Sequence, residues 1–408
     1  MEYKISDLCD IRRGASPRPI KNYIVDSYDN SLPWVKIADA TKDLSRYIYD
    51  TKERVSLEGS KKSVEVLPGD LILSNSATPG LPKFMKIKAC IHDGWLLLRN
   101  FKNVRKEFLY YILLLNRQKL LQLSNGSVFN NLKTDIVKNY IVDIPSIKKQ
   151  DKILKIIGNI EDKLDVNNKL IANLEELSQT LFKRWFIDFE FPDRNGAPYK
   201  SSGGEMIDSE LGEIPKNWSI KTVKETAESF NSIRKPLSKL EREKRESIYP
   251  YYGATKIIDY VDNYIFDGKY ILVGEDGTVQ TETDNPFIQY VWGKFWVSNH
   301  AHILKGKLIS DELLMLYLTN TNVAPYITGA VQPKLNKKNL NSIKFVIADK
   351  ETIIKFENSI KSYFQKIRIL NKENKKLIEL RDTLLPKLMS GEIEIPDDIE
   401  VNSDELSI

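Results

Sequence analysis

Two stretches of the chain carry an apolar pattern that neither a short helix nor a strand would produce. From about Lys148 to Phe186, residues Ile153, Ile157, Ile160, Leu164, Ile171, Leu174, Leu181 and Trp185 follow a 4-3 spacing, interrupted by Asn167 and Ser178. From about Glu351 to Met389, residues Phe356, Ile360, Tyr363, Ile367, Leu370, Leu377, Leu384 and Leu388 do the same, interrupted by Asn374 and Arg381. A seam this long predicts two helices of roughly 40 residues, hence roughly 60 Å each, paired as a coiled coil. The competing expectation is a wider stripe at period 3.6, with each helix packed on its own domain.

The two stretches are copies. Sliding the sequence by 203 positions overlays Gly126–Asp188 on Gly329–Gly391 without a gap, with 14 of 63 positions identical. Chance would give roughly four or five. The identities run from Gly126/Gly329 and Leu132/Leu335 through Lys152/Lys355 and Ile157/Ile360 to Leu181/Leu384. Each copy reads as a variable α/β (α+β) domain, a last short strand (Tyr140–Ile144 or Ile343–Ile347) and then the long helix.

The variable domains show alternating apolar strands: Pro33–Ile37 and Gly69–Ser74 in the first, Lys269–Val273 and Trp292–Leu304 in the second. A shorter helix precedes the repeat in each, Glu107–Leu123 and Asp311–Thr319. The predicted organisation is domain one over 1–145 and spacer helix one over 146–190. A Gly-, Pro- and Ser-rich stretch over 191–218 reads as a flexible connector, leading into domain two over 212–347. Spacer helix two follows over 348–391, then an acidic tail over 392–408.

Because the first helix leads into domain two and the second leaves from it, antiparallel pairing needs no long return. Centring that pair on its pseudo-two-fold makes facing residues sum to 541. Asn167 then meets Asn374, Ile153 meets Leu388, Ile157 meets Leu384, Leu164 meets Leu377 and Ile171 meets Leu370. The expected helix core also includes Leu174, Leu181, Ile360 and Ile367. Ile160 falls opposite Arg381 and Ser178 opposite Tyr363, positions expected to be partly exposed.

Composition changes this picture little. With 41% hydrophobic and 29% charged residues the chain is ordinary globular protein. Cys9 and Cys90 cannot build a disulfide scaffold or a cysteine zinc site. No apolar run is long enough to span a membrane, and Met1–Gly14 is too charged for a signal peptide, so a cytoplasmic protein is expected. Seven acidic residues crowd Glu392–Ile408, leaving 61 basic against 49 acidic residues before it. That surplus suits a polyanion.

Catalytic motifs are missing: no G-x-G-x-x-G, Walker loop, G-x-S-x-G or H-E-x-x-H occurs. His300 and His302 share one strand face as two metal ligands could, but no further ligand lies near, so no metal site is expected. His92 reads as structural, and Gly274–Gly277 as a tight turn. The basic surplus makes nucleic acid a lead and no more. The candidate contacts are Lys36, Lys42, Arg46, Asn75, Lys83, Asn130 and Lys133 in the first domain. In the second they are Tyr252, Lys256, His300, Gln332, Lys334, Asn336 and Lys337. Amides and Lys beside the repeated glycines Gly126 and Gly329 suit base edges, and a purely scaffolding role for those loops weighs equally.

Several segments complete a resemblance: Leu177–Phe186 (LSQTLFKRWF), Leu211–Trp218 (LGEIPKNW), Tyr251–Thr255 (YYGAT), Asn299–Leu304 (NHAHIL) and Arg381–Ile393 (RDTLLPKLMSGEI). With the order of parts, they make the chain similar, over nearly its whole length, to the specificity subunits of type I restriction-modification systems. The first copy shows no clear counterpart of Tyr251–Thr255. The resemblance implies two target-recognition domains, each reading one half of a bipartite, asymmetric site in double-stranded DNA. The helices would set the spacer and dock two modification (methyltransferase) subunits, with restriction (nuclease/translocase) subunits in a full complex. The chain itself would be a non-catalytic targeting subunit. S-adenosylmethionine, and ATP and Mg for a nuclease, would belong to its partners. A stand-alone two-headed regulator and a coiled-coil scaffold are the rival readings.

Overall fold

A computed structural model describes residues 1–42, 45–123, 131–329 and 332–396. The chain divides into two compact units, one of Met1–Asn167 with the segment from Lys372 onward, the other of Asn168–Asn371. Both boundaries fall inside the long helices, which run over Ile147–Phe182, continued by a wide turn over Lys183–Ile187, and over Lys350–Ser390. Each unit therefore owns half of each helix.

The first unit holds two five-stranded sheets. One runs in the order Asp10–Arg13, Trp95–Arg99, Leu71–Ser74, Pro82–Met85, Tyr47–Ile48. The other runs Ile24–Val25, Glu53–Ser56, Ser31–Val35, Ala89–Ile91, Val64–Val66. The second unit repeats the plan with two four-stranded sheets. Their orders are Ala227–Ser229, Ala301–Gly306, Tyr270–Gly274, Ile288–Val291, and Ile257–Val261, Tyr249–Tyr252, Lys294–Val297, Phe266–Asp267. In each unit an early strand pairs antiparallel with the strand that enters the long helix. Glu2–Lys4 lies on Ile141–Asp143, and Ser219–Thr222 on Lys344–Ile347.

Local expectations shift in four places. Trp292–Leu304 is two strands broken at Ser298–His300, and Glu107–Leu123 is two helices, Lys106–Leu115 and Arg117–Leu123. Pro33–Ile37 ends its strand at Val35, and Ile37–Thr41 is helical, with the Asp39 carboxylate accepting from the Lys36 amide at 2.7 Å. The connector is not loose. Phe191 stacks on Tyr199 and Trp218, with centroids 4.6 and 4.8 Å away, and Ile214 and Trp218 are buried in the second unit's core. Its aromatic residues outweigh its Gly and Ser content.

The helix pairing follows the register read from the sequence. In the first unit Asn167 Nδ2 donates to Asn374 Oδ1 at 2.9 Å and to Glu373 Oε2 at 3.0 Å, and both asparagines are buried. Glu161 faces Arg381 at 3.2 Å, and Lys152 donates to the Pro396 carbonyl at 3.2 Å. Partner numbers fall on one helix as they rise on the other, so the halves run antiparallel. In the second unit Trp185 meets Phe356 at 5.4 Å, again summing to 541.

The seam is narrow only in part. Leu174 and Leu377 are half-buried, as a two-helix seam allows. Towards the outer ends the stripe widens to take in Leu154 and Leu385 in the first unit and Phe182 and Phe364 in the second. There each helix end is part of a domain core, where a stripe of more than about 100° is needed. Of the four positions expected to be partly exposed, Ile160 and Ser178 are buried, the Ser178 hydroxyl donating to the Leu174 carbonyl at 2.8 Å. Arg381 and Tyr363 are partly exposed, and the Arg381 guanidinium is tied to the buried Glu161.

Candidate nucleic-acid interface

Strand pairing brings the sequence motifs of the second unit to one sheet end. Tyr270–Gly274 pairs with Ala301–Gly306 so that Gly274 faces Ala301 and Val273 faces His302. Just past that end the Glu275 amide donates to the His300 carbonyl at 2.8 Å, and the Leu335 amide donates to the Glu275 carbonyl at 2.9 Å. The acidic turn, the segment around His300 and the loop after Gly329 thus meet.

The first unit builds the same frame from other residues. Leu71–Ser74 pairs with Trp95–Arg99, the Asn75 amide donates to the Gly94 carbonyl at 2.8 Å, and the Leu132 amide donates to the Asn75 carbonyl at 2.8 Å. Leu132 and Leu335 are repeat partners, so Asn75 stands where Glu275 stands and Gly94 where His300 stands. The repeat leucines, both buried, pin these loops. Gly329 supports the turn with φ +90°, and a Cβ there would sit 2.4 Å from the Gln332 carbonyl oxygen. The repeated loop is thus scaffold at Gly329 and Leu335, with exposed side chains at Gln332 and Lys334.

Behind the second frame lies a buried polar network. Arg234 donates to Glu275 at 2.7 Å and to the carbonyls of Ala301 and Asn299 at 2.8 and 3.1 Å. His302 has no exposed surface. Its Nε2 lies 2.6 Å from the Leu335 carbonyl oxygen and so carries the proton, leaving Nδ1 to accept from Asn231 Nδ2 at 2.7 Å. Asn231 Oδ1 accepts from the Ile303 amide at 2.9 Å. Burial pushes the Glu275 carboxyl up, but the Arg234 hydrogen bond and neighbouring positive charge outweigh it and hold it below the usual carboxylate range. Burial holds the His302 imidazole below the ordinary histidine value.

A pH dependence follows. The unfolded chain protonates this ring near pH 6.5, whereas the folded ring resists protonation, so the contribution is fully present above about 6.5 and is lost as pH falls towards the folded pKa. The unfolding free energy of the full chain, read from urea titrations, should drop on acidification, by at most about 1.4 kcal/mol per pH unit from this group. His302→Gln should flatten the slope. An unchanged slope in that variant would rule out the assignment.

The candidate contacts divide into exposed and structural groups. Lys133, Lys256, Gln332, Lys334, Lys337 and His300 are exposed. His300 Nδ1 lies 2.5 Å from Asp276 Oδ1, and Lys334 Nζ lies 3.5 Å from Glu275 Oε1. Lys36 and Lys42 are surface residues paired with Glu53 and Asp50.

Five others are corrected to structural roles. Arg46 is half-buried against the first long helix, 3.0 Å from Asp162. Lys83 is buried, donating to the Ser45 carbonyl. Asn75 is buried, its amide on the Asp93 carbonyl at 3.2 Å. Asn336 caps helix Lys337–Ser342, accepting from the Asn339 amide at 2.9 Å. Tyr252 packs edge-on to Phe295 at 5.7 Å, and burial raises its phenol to about 12. Asn130 lies outside the described residues, as do Gly126 and most of its loop.

The missing counterpart of Tyr251–Thr255 is found by pairing. Tyr251 and Tyr252 run parallel to Trp296 and Val297, and Trp34 and Val35 run parallel to Cys90 and Ile91. The antiparallel neighbours agree, Asp259 facing Tyr251 and Glu53 facing Trp34. Trp34–Ala38 therefore occupies the place of Tyr251–Thr255. No shared residue type announces it. Asn231 and Arg234 were equally invisible, since their partners lie 41 to 72 residues away.

Comparison with known proteins agrees with this duplicated plan. The family model for the type I restriction modification DNA specificity domain matches residues 1–176 and 215–380. The MjaIX type I restriction enzyme specificity subunit of Methanocaldococcus jannaschii is 24% identical over 96% of this chain and 93% of its own length. The HindI type I restriction enzyme specificity subunit of Haemophilus influenzae is 25% identical over 96% of this chain and all of its own. Among solved structures, the S subunit of a type I restriction-modification system from M. genitalium shares the fold. It does so with a TM-score of 0.53 at 16% identity, covering 97% of this chain and 96% of that one. With two tandem matches over most of its length, each ending within a long helix, the chain belongs to the type I restriction-modification DNA specificity family.

Proposed function

We propose that the chain directs a modification complex to a split, asymmetric DNA site, each variable domain (1–145 and 212–347) reading one half. The observation that carries this is one backbone frame built twice and filled differently. Asn75, Ser76 and Gly94 line the first sheet end where Glu275, Asp276 and His300 line the second. Such a frame can present different exposed side chains to base edges in each half, whereas phosphates only position the protein. Lys133 in the first unit, and Lys256, His300, Gln332, Lys334 and Lys337 in the second, are the proposed contacts.

The reading also includes protein partners. Val166 and Leu380 in the first unit, and Leu170, Leu177 and Ile369 in the second, are apolar yet exposed on the long helices. Such surface supports docking of two modification subunits, with restriction subunits in a full complex, over a stand-alone regulator. The chain supplies address rather than chemistry. Methyl donor, ATP and Mg would be bound by the partners.

Exchanging residues 1–145 for the matching domain of a relative should change one half-site and leave the other intact. Methylome sequencing of cells carrying the hybrid with its modification subunit reads this directly. Alteration of both halves would defeat the modular reading.

A further inference from the structure

The second unit carries a basic pocket that shares only Lys337 with the proposed contacts above. It has a volume of about 380 Å³ and is lined by Lys224, Lys307, Lys337, Ser229, Asn341, Glu228 and Ala227. Three elements meet there: the short helix Val223–Thr226, the edge strand Ala227–Ser229 and the helix Lys337–Ser342. The Lys307 amide, donating to the Thr226 carbonyl at 2.9 Å, fixes the fourth wall. The Ser229 Oγ is buried and has no hydrogen-bond partner among the described residues. A buried hydroxyl left so is unfavourable unless a ligand accepts from it.

We propose that this pocket holds one phosphodiester of the DNA backbone, an inference that rests on the DNA-directing role above. Lysines act as point charges towards phosphate, and three of them against the single carboxylate of Glu228 leave the lining strongly positive. The Ser229 hydroxyl and the Asn341 amide add neutral donors. An acidic protein segment fits less well, since Ala227 is the only apolar side chain in the lining and offers no anchor for a protein hot spot.

The first unit lacks the set. The Lys102 amide donates to the Leu8 carbonyl at 2.8 Å as Lys307 does to Thr226, so Lys102 matches Lys307. Strand pairing and the repeat place Ser6, Ile11 and Thr134 where Lys224, Ser229 and Lys337 stand. The phosphate clamp therefore belongs to the second half-site alone.

The test uses the full chain assembled with its modification subunits. Binding to a cognate duplex and to an unrelated duplex is followed by anisotropy across a salt series. A variant combining Lys224→Gln, Lys307→Gln and Lys337→Gln should lose about fivefold to tenfold in affinity equally on both duplexes. Its slope of log K against log salt should become shallower by about 1. Ser229→Ala should weaken binding without changing the slope, and the corresponding Lys→Arg set should retain the native slope. An unchanged slope in the Gln variant, with native cognate preference intact, overturns the clamp and leaves the DNA-directing role standing. Failure of that variant to co-elute with the modification subunits would make the pocket a protein contact and overturn it too. Protection of the native chain by millimolar inorganic phosphate, lost in the Gln variant while its DNA slope stays native, would assign the pocket to free phosphate instead. A native complex without any preference for cognate DNA would bring down both readings.

Discussion

Phe356→Ala should cost the second unit about 3–5 kcal/mol, the largest loss expected from one side chain. Phe356 has no exposed surface and stands among Phe182, Trp185 and Phe186, with ring centroids 6.3, 5.4 and 4.8 Å away. Three of these four rings come from the first long helix and one from the second. Truncation removes the aromatic surface and leaves a cavity that its bulky neighbours cannot collapse into. Amide exchange should speed up through Ala301–Gly306 and Asp311–Thr319, elements of the same core. Phe356→Leu, keeping most of the volume, should cost under about 1.5 kcal/mol. Equal losses for the two variants would show that the site is not packed as described.

Arg381→Leu should destabilise the first unit by about 3 kcal/mol, because it abandons the Glu161 carboxylate, whose side chain is only 7% exposed. Arg381 is itself mostly buried. Burial lowers its tendency to hold a proton, but Glu161 and Asp382 outweigh that and raise it. The cost sits at the lower end of the range for a broken buried pair, since Arg46 also acts on Glu161 through its charge. Glu161→Leu combined with Arg381→Leu should recover most of the loss, as an apolar pair often equals a buried ionic one. Urea unfolding of both singles and the double gives the coupling. Additive losses would mean that the pair does not interact.

The long helices and their facing partners were legible because they rest on periodicity and on self-similarity, both local to the sequence. Asn167 opposite Asn374 needed only two numbers and the repeat. The recognition surface was less legible for a definite reason. Arg46 and Lys83 look like any exposed basic residues until Asp162 and the Ser45 carbonyl, 116 and 38 residues away, are seen to hold them. Burial of a charge is decided by tertiary neighbours, and no window of sequence contains them. Trp34–Ala38 matches Tyr251–Thr255 in residue type at no position, since a parallel strand partner constrains the backbone and leaves the side chain free to vary. The segment 191–218 misled in the other direction. Its Gly and Ser residues shape turns, while Phe191, Ile214 and Trp218 anchor it.

The Asn167–Asn374 pair also limits how such a chain can change its length. Each asparagine left facing leucine would strand a buried amide, so the two act as a fixed zero mark on both helices. Seven residues added to the first helix between Ile157 and Asn167 would displace Ile153 by about 10.5 Å along its axis from Leu388, which shares its core cluster. The second helix would need an equal addition between Asn374 and Leu384 to restore the match. Viable changes of length in this chain should therefore come as compensated pairs, one in each copy of the repeat, and a lone insertion should survive only if it lies outside the span from the asparagines to the domain cores.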